Sequence, residues 1–257
     1  MTDSSGIRSS GAEAQTTLRL QRADELPAWL ALWGPLAVAA ALALAWHLAP
    51  RFYLDHIAYE DGALEFTHFV IPVISIAWCL RILALPEARR DRLVLVWIVL
   101  GLLGSLYMAA EEISWGQQYF QWLTPDEWQA VNDQGETNLH NTSSWLDQKP
   151  RTVLEIGVVV GGIIIPLLAL WRPALRAGRF ALFLPALSCL PVAVICELVK
   201  FSGRLQSLGL LDWPVFENAS EAQELYISLF ILFYLVVFRH RVLARRAAGL
   251  PARPAAL

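Results

Sequence analysis

Apolar runs of about twenty residues, nearly free of charge, recur six times along the chain, and about twenty is the length a helix needs to cross the hydrocarbon core of a bilayer. They predict spans at about 29–49, 66–85, 93–115, 152–171, 180–199 and 221–238. Apolar residues surround each run instead of forming a single stripe, which suits a helix in lipid better than one lying on a soluble core. The expected fold class is therefore all-α: a polytopic transmembrane bundle of about six spans in one domain, 29–240. A flexible cytoplasmic tail, 1–28, precedes it, an outer loop, 117–150, forms a small helical cap, and a basic cytoplasmic tail, 241–257, follows.

Composition agrees with that pattern. Of 257 residues, 56% are hydrophobic and 17% charged, against roughly 25% charged in an ordinary soluble domain, which excludes a soluble globule and a disordered chain. The net charge of -3, from 20 basic and 23 acidic side chains, offers no basic field for nucleic acid. The distribution of charge is more telling than its sum. Arginines collect after the second run (Arg81, Arg89, Arg90, Arg92), after the fourth (Arg172, Arg176, Arg179) and in the C-terminal tail, whereas the alternate connections are acidic. By the positive-inside rule the arginine-rich segments face the cytoplasm, so both termini are expected inside a plasma membrane.

Cys79, Cys189 and Cys196 fall within the apolar runs with no CxxC pair, and they read as packing groups. Gly157 and Gly161 form a GxxxG that predicts close helix approach in the fourth span.

Ionisable residues are costly in a bilayer, so their positions carry information. Glu65 and His68 open the second span, Glu111 and Glu112 close the third, Glu155 opens the fourth, Glu197 and Lys200 close the fifth, and Glu221 and Glu224 open the sixth. All lie at the non-cytoplasmic ends. Successive helical residues point about 100° apart, so Glu112, in register with Gly101, Ser105 and Met108, is expected to face the bundle, with Glu111 and Ser114 flanking it. The pair has two readings: a buried functional couple, or a pair of which one merely caps the headgroup zone in water. Lys200 stands three residues after Glu197, the spacing of an intrahelical ion pair, and Glu221 or Glu224 across the bundle is its other expected partner.

Beyond Glu112 the chain continues Ser114-Trp115-Gly116-Gln117, then an aromatic stretch, Tyr119 to Leu123, expected as a short interfacial helix. Thr124-Pro125-Asp126-Glu127 is a helix-start signature that predicts a small helix from Asp126 to about Val131. Glu136 and His140 lie four apart, with Asn138 and Asn141 adding amides. A mixed carboxylate and imidazole set of Glu112, Glu136 and His140 would suit zinc, iron or manganese, although a single ExxxH is far less specific than HExxH. The same side chains could instead tie down the backbone of their own loop.

The stretch Glu111-Glu112-Ile113-Ser114-Trp115-Gly116-Gln117 followed by Gly135-Glu136-Thr137-Asn138-Leu139-His140-Asn141 resembles an uncharacterised family of bacterial multi-pass inner-membrane proteins, as does Glu60-Asp61-Gly62 with Glu65. The resemblance covers about the middle third of the chain. It implies a polytopic membrane protein and no particular activity. The motifs of membrane alkaline ceramidases, which need several histidines, are not matched.

Three functions follow from this reading. In the first, a divalent metal assists chemistry on a lipid or lipid-linked substrate at the outer leaflet, with Glu111, Glu112 and Glu224 catalytic. His68, Trp115, Gln117, Asn138, Asn141, Glu197, Lys200 and Glu221 then form the polar cluster around the substrate. In the second, the chain is a non-enzymatic membrane subunit whose polar cluster is structural or docks a partner protein. In the third, it is a proton- or cation-coupled transporter.

Overall fold

The long apolar runs fold largely as helices, the form in which a backbone satisfies its own hydrogen bonds. The computed structural model describes residues 26–59, 62–132, 137–139, 144–172, 174–177, 180–211, 215 and 217–251. All its regular elements are helical, with no strand among the described residues. Six long elements build it: α1 (Trp29–Leu48, opening with a π-helical turn), α2 (Ala63–Leu83), α3 (Arg92–Glu112), α4 (Ser144–Gly157, continuing through π-helical Val158–Ile164 and then Ile165–Trp171), α5 (Leu190–Ser207) and α6 (Ala219–Ala247). Five helical stretches, those carrying α1, α2, α3, α4 and α6, are long and apolar enough to cross a membrane. The exception, α5, carries Glu197, Lys200 and Arg204 within its 18 residues.

The central pair is α2 against α3, with α6 packed along both α2 and α5. One buried cluster joins α1, α2, α5 and α6 through Leu42, Ile71, Val192, Cys196, Tyr226 and Phe230. A second, toward the arginine-rich ends, joins α2, α3 and α6 through Cys79, Ile82, Val94, Ile98, Leu235 and Phe238. The three cysteines are free and buried, as packing groups. Large apolar side chains such as Phe66, Leu80, Leu100 and Leu103 remain exposed on the outer faces of α2 and α3. Exposed apolar side chains of this kind suit a lipid-facing surface.

Several boundaries differ from expectation. The third helix stops at Glu112, short of 115, because Ser114, Trp115 and Gly116 all adopt positive φ (47°, 57° and 101°). The fourth begins at Ser144, eight residues early, through the polar Ser144–Arg151 stretch. The fifth begins at Leu190 after a 3-10 turn, so 180–186 is not helical. That irregular backbone is answered by side chains: Arg241 donates to the carbonyls of Ala181, Leu182 and Leu184, and the Tyr234 hydroxyl donates to Phe183 O at 3.0 Å. Non-helical backbone inside a bundle is tolerated only where protein groups satisfy it in this way. The expected interfacial helix is a single turn, Gln117–Phe120, and the expected cap helix spans only Asp126–Gln129. Pro125 occupies its N-cap position, and the Thr124 hydroxyl accepts from Gln117 Nε2 instead of capping.

The close approach expected at GxxxG falls elsewhere. Gly157 has nothing within 4 Å of where a Cβ would stand, and at Gly161 the nearest atom, on Pro185, is at an ordinary 3.5 Å. It is Gly162 that α5 and α6 crowd: a Cβ there would lie 2.5 Å from Ala193 Cβ and 2.7 Å from the Phe230 ring. Gly162→Ala is therefore expected to cost about 1–3 kcal/mol, the usual penalty of overpacking a core. Gly157→Ala should be neutral or slightly stabilising, because alanine is the better helix former. Melting temperatures of the two variants check the contrast.

Candidate functional site

Where α2 begins, α3 ends and α6 begins, their side chains meet. His68, one turn into α2, is only 3% exposed. Its Nε2 lies 2.9 Å from the backbone carbonyl of Glu221. A carbonyl only accepts, so Nε2 carries a proton, and in the neutral ring the lone pair then lies on Nδ1. That atom points at three carboxylates: Glu221 Oε2 at 3.5 Å, Glu112 Oε2 at 3.8 Å and Glu224 Oε2 at 4.0 Å. Nδ1 is nonetheless buried with no hydrogen-bond partner among the described residues. A lone pair directed at carboxylate oxygens is repulsive and unsatisfied, and a buried polar atom in that condition costs about 1–3 kcal/mol. A cation between them removes both costs.

The geometry fits one. Ligand atoms of His68, Glu112 and Glu224 all lie within 4.8 Å of one another. Around a tetrahedral ion with bonds of about 2.1 Å, ligand atoms stand about 3.4 Å apart, close to the 3.5–4.0 Å found around Nδ1. One imidazole nitrogen with carboxylate oxygens is a donor set for zinc, manganese or iron(II). Metal-bound histidines commonly donate their second ring N–H to a backbone carbonyl, which fixes the tautomer, and the Glu221 carbonyl does this for His68. The second oxygen of Glu224 pairs with the Arg151 guanidinium from α4, a further clamp on the carboxylate.

Glu111 and Glu112 separate as the 100° step between them requires. Glu112 joins the cluster, whereas Glu111, 4% exposed, turns to the loop. Its two oxygens accept from Trp115 Nε1 at 2.6 Å and from the Leu139 backbone N–H at 2.7 Å. Around it the two motif segments bind each other. Gln117 Oε1 accepts from the Thr137 backbone N–H and hydroxyl, Thr137 Oγ1 donates to Ser114 O, and Asn138 Nδ2 donates to Ser114 Oγ. Asn138 Oδ1 in turn accepts from Asn132 Nδ2. Glu111, Trp115, Gln117 and Asn138 thus hold the loop to the end of α3 and lie outside the His68 cluster. Glu111, expected among the catalytic residues, is thus placed in the loop network and apart from the other two, Glu112 and Glu224.

Of the expected metal set, Glu112 is in the cluster; Glu136 and His140, like Asn141, lie outside the described residues. The imidazole that gathers carboxylates is His68. Lys200 pairs with Glu155 on α4 and not with Glu197, Glu221 or Glu224. Glu197 stands apart from both pairs, with its Oε1 buried and without a hydrogen-bond partner among the described residues. Arg151 was not singled out from the sequence, although a cation at that end of a span runs against the positive-inside pattern and was the signal available. No protein-family model, curated protein or solved structure matches the chain.

Proposed function

We propose that the chain is a six-span inner-membrane protein, with both termini cytoplasmic, that binds a divalent metal ion at the non-cytoplasmic end of its bundle and uses it in chemistry on a lipid or lipid-linked substrate. The observation that carries this reading is His68 Nδ1, buried, facing Glu112, Glu221 and Glu224 and making no hydrogen bond among the described residues. His68, Glu112 and Glu224 are the ligands. A bound divalent ion would supply a water of pKa near 7 and polarise an ester or phosphoryl oxygen. Glu221, adjacent to the ligand set and partly exposed, is placed to take a proton from that water. Arg151 fixes Glu224 in its ligating pose. The partners expected are the bilayer and a substrate with an apolar tail, reaching the site laterally between helices.

The network around Glu111 favours a second reading, a non-enzymatic subunit whose polar residues hold the outer loop in place for a partner. That reading gives no account of the orphaned imidazole nitrogen.

The test is elemental analysis of the full chain purified in detergent without chelators. About one zinc, manganese or iron ion per chain is expected. Stripping with a chelator should lower the melting temperature, and restoring the ion at 100 times its dissociation constant should return about 2.7 kcal/mol. A protein that carries no metal as purified, and whose melting temperature is unmoved by zinc, manganese or iron(II), overturns the proposal.

A further inference from the structure

Next to the cluster, between α4 and α5, runs an open groove with a charged head and an apolar wall. Arg151, Glu155, Lys200 and Arg204 line the head, and Ile156 and Val160 line the wall. Three cations from two helices meet here against one lining carboxylate, at the end of the bundle from which the positive-inside rule depletes lysine and arginine. Lys200 pairs with Glu155 at the floor, and Arg151 pairs with Glu224 of the His68 cluster. Arg204 is exposed and has no carboxylate within ion-pair distance among the described residues. Val160 lies nine residues beyond Arg151 along α4, roughly 13 Å deeper at 1.5 Å per residue, and both Ile156 and Val160 are open to the exterior.

We infer that this groove binds a phosphate-bearing lipid, with the phosphate between Arg151, Lys200 and Arg204 and an acyl or prenyl chain along Ile156 and Val160. Charge complementarity selects the head: guanidinium groups offer paired N–H donors that match phosphate oxygens, and an ammonium adds a point charge. The wall selects the tail, since an apolar strip leading from the charged head toward the hydrocarbon suits a chain that stays in the membrane. Arg151 connects the two sites, because the guanidinium that would bind the phosphate already touches a proposed metal ligand. The lipid phosphate is thereby held beside the His68 cluster. As an assignment of substrate class this rests on the metal-centre reading; as a binding site it stands on the groove alone.

The experiment measures binding of dioleoyl phosphatidic acid, dioleoylglycerol and inorganic phosphate to the full chain in detergent, with metal content determined on the same samples. Phosphatidic acid is expected to bind at least tenfold more tightly than dioleoylglycerol and than inorganic phosphate. Arg204→Gln and Lys200→Gln are each expected to weaken phosphatidic acid about tenfold. Arg204→Gln changes an exposed side chain, so its melting temperature should match the unaltered protein and a loss of binding is not a loss of fold. Equal affinity for dioleoylglycerol, or binding unaffected by Arg204→Gln, overturns the proposal. Inorganic phosphate binding as tightly as the lipid overturns it too, because the apolar wall would then contribute nothing. Metal-free protein that still prefers phosphatidic acid refutes the metal centre and keeps the groove, whereas metal-loaded protein without that preference refutes the groove alone.

Discussion

His68→Ala is expected to empty the proposed metal centre, lowering affinity for zinc by more than about 100-fold, since residues that merely orient metal ligands already account for 10–100-fold. The reasoning starts from the donor types. Without the imidazole the remaining groups are carboxylates, whose hard oxygens favour magnesium or calcium and hold zinc weakly. The substitution also removes the hydrogen bond to the Glu221 carbonyl, a loss of about 1 kcal/mol, small enough to leave the chain folded. Glu112→Gln should lower metal content as well while keeping the side-chain volume, and elution on size exclusion verifies that both variants are intact. If His68→Ala retained the metal content of the unaltered chain, the ion would be held elsewhere and the cluster would be a set of ordinary interfacial carboxylates.

The second large effect concerns stability. Glu111→Ala removes an acceptor that serves two N–H groups, from Trp115 and Leu139, at 2.6 and 2.7 Å. Hydrogen bonds to a charged group are worth about 1.5–3 kcal/mol each, so the expected loss is about 3–6 kcal/mol. That amounts to a large fraction of a typical domain's stability. Glu111→Gln should fall between, because its amide keeps one acceptor and turns a donor toward a donor. Thermal unfolding in detergent measures both. The folded remainder should keep its metal, a result that would separate Glu111 from Glu112 despite their adjacency. Unfolding of Glu111→Ala at the unaltered temperature would mean that the loop is tied down by other contacts.

The helices were legible in the apolar runs because length and all-round hydrophobicity are local properties. The start of α5 was not. Residues 180–186 are as apolar as any span, and the groups that satisfy their irregular backbone, Arg241 and Tyr234, stand more than fifty residues away. The end of α3 was misplaced because nothing in Ser114-Trp115 announces positive φ; Gly116 alone was a visible breaker. Within the site, the direction of Glu112 followed from the 100° step and from its register with Ser105. The role of His68 did not follow, because its partners come from helices that begin or end 40 to 150 residues later. The same limit misled the reading of Lys200: a partner three residues away was available, yet Glu155 on a facing helix took the pair.

One guanidinium, on Arg151, stands at the boundary of two neighbouring sites because its partner Glu224 also faces His68. Any anion that draws Arg151 toward itself weakens its hold on Glu224, and so alters how strongly that carboxylate can serve a cation. Thermodynamic linkage makes the effect reciprocal: whatever factor the anion applies to cation affinity, the cation applies to anion affinity. A shared side chain of this kind would make loading of the two sites cooperative or antagonistic, and the sign of that coupling can be read by titrating one occupant in the presence of the other.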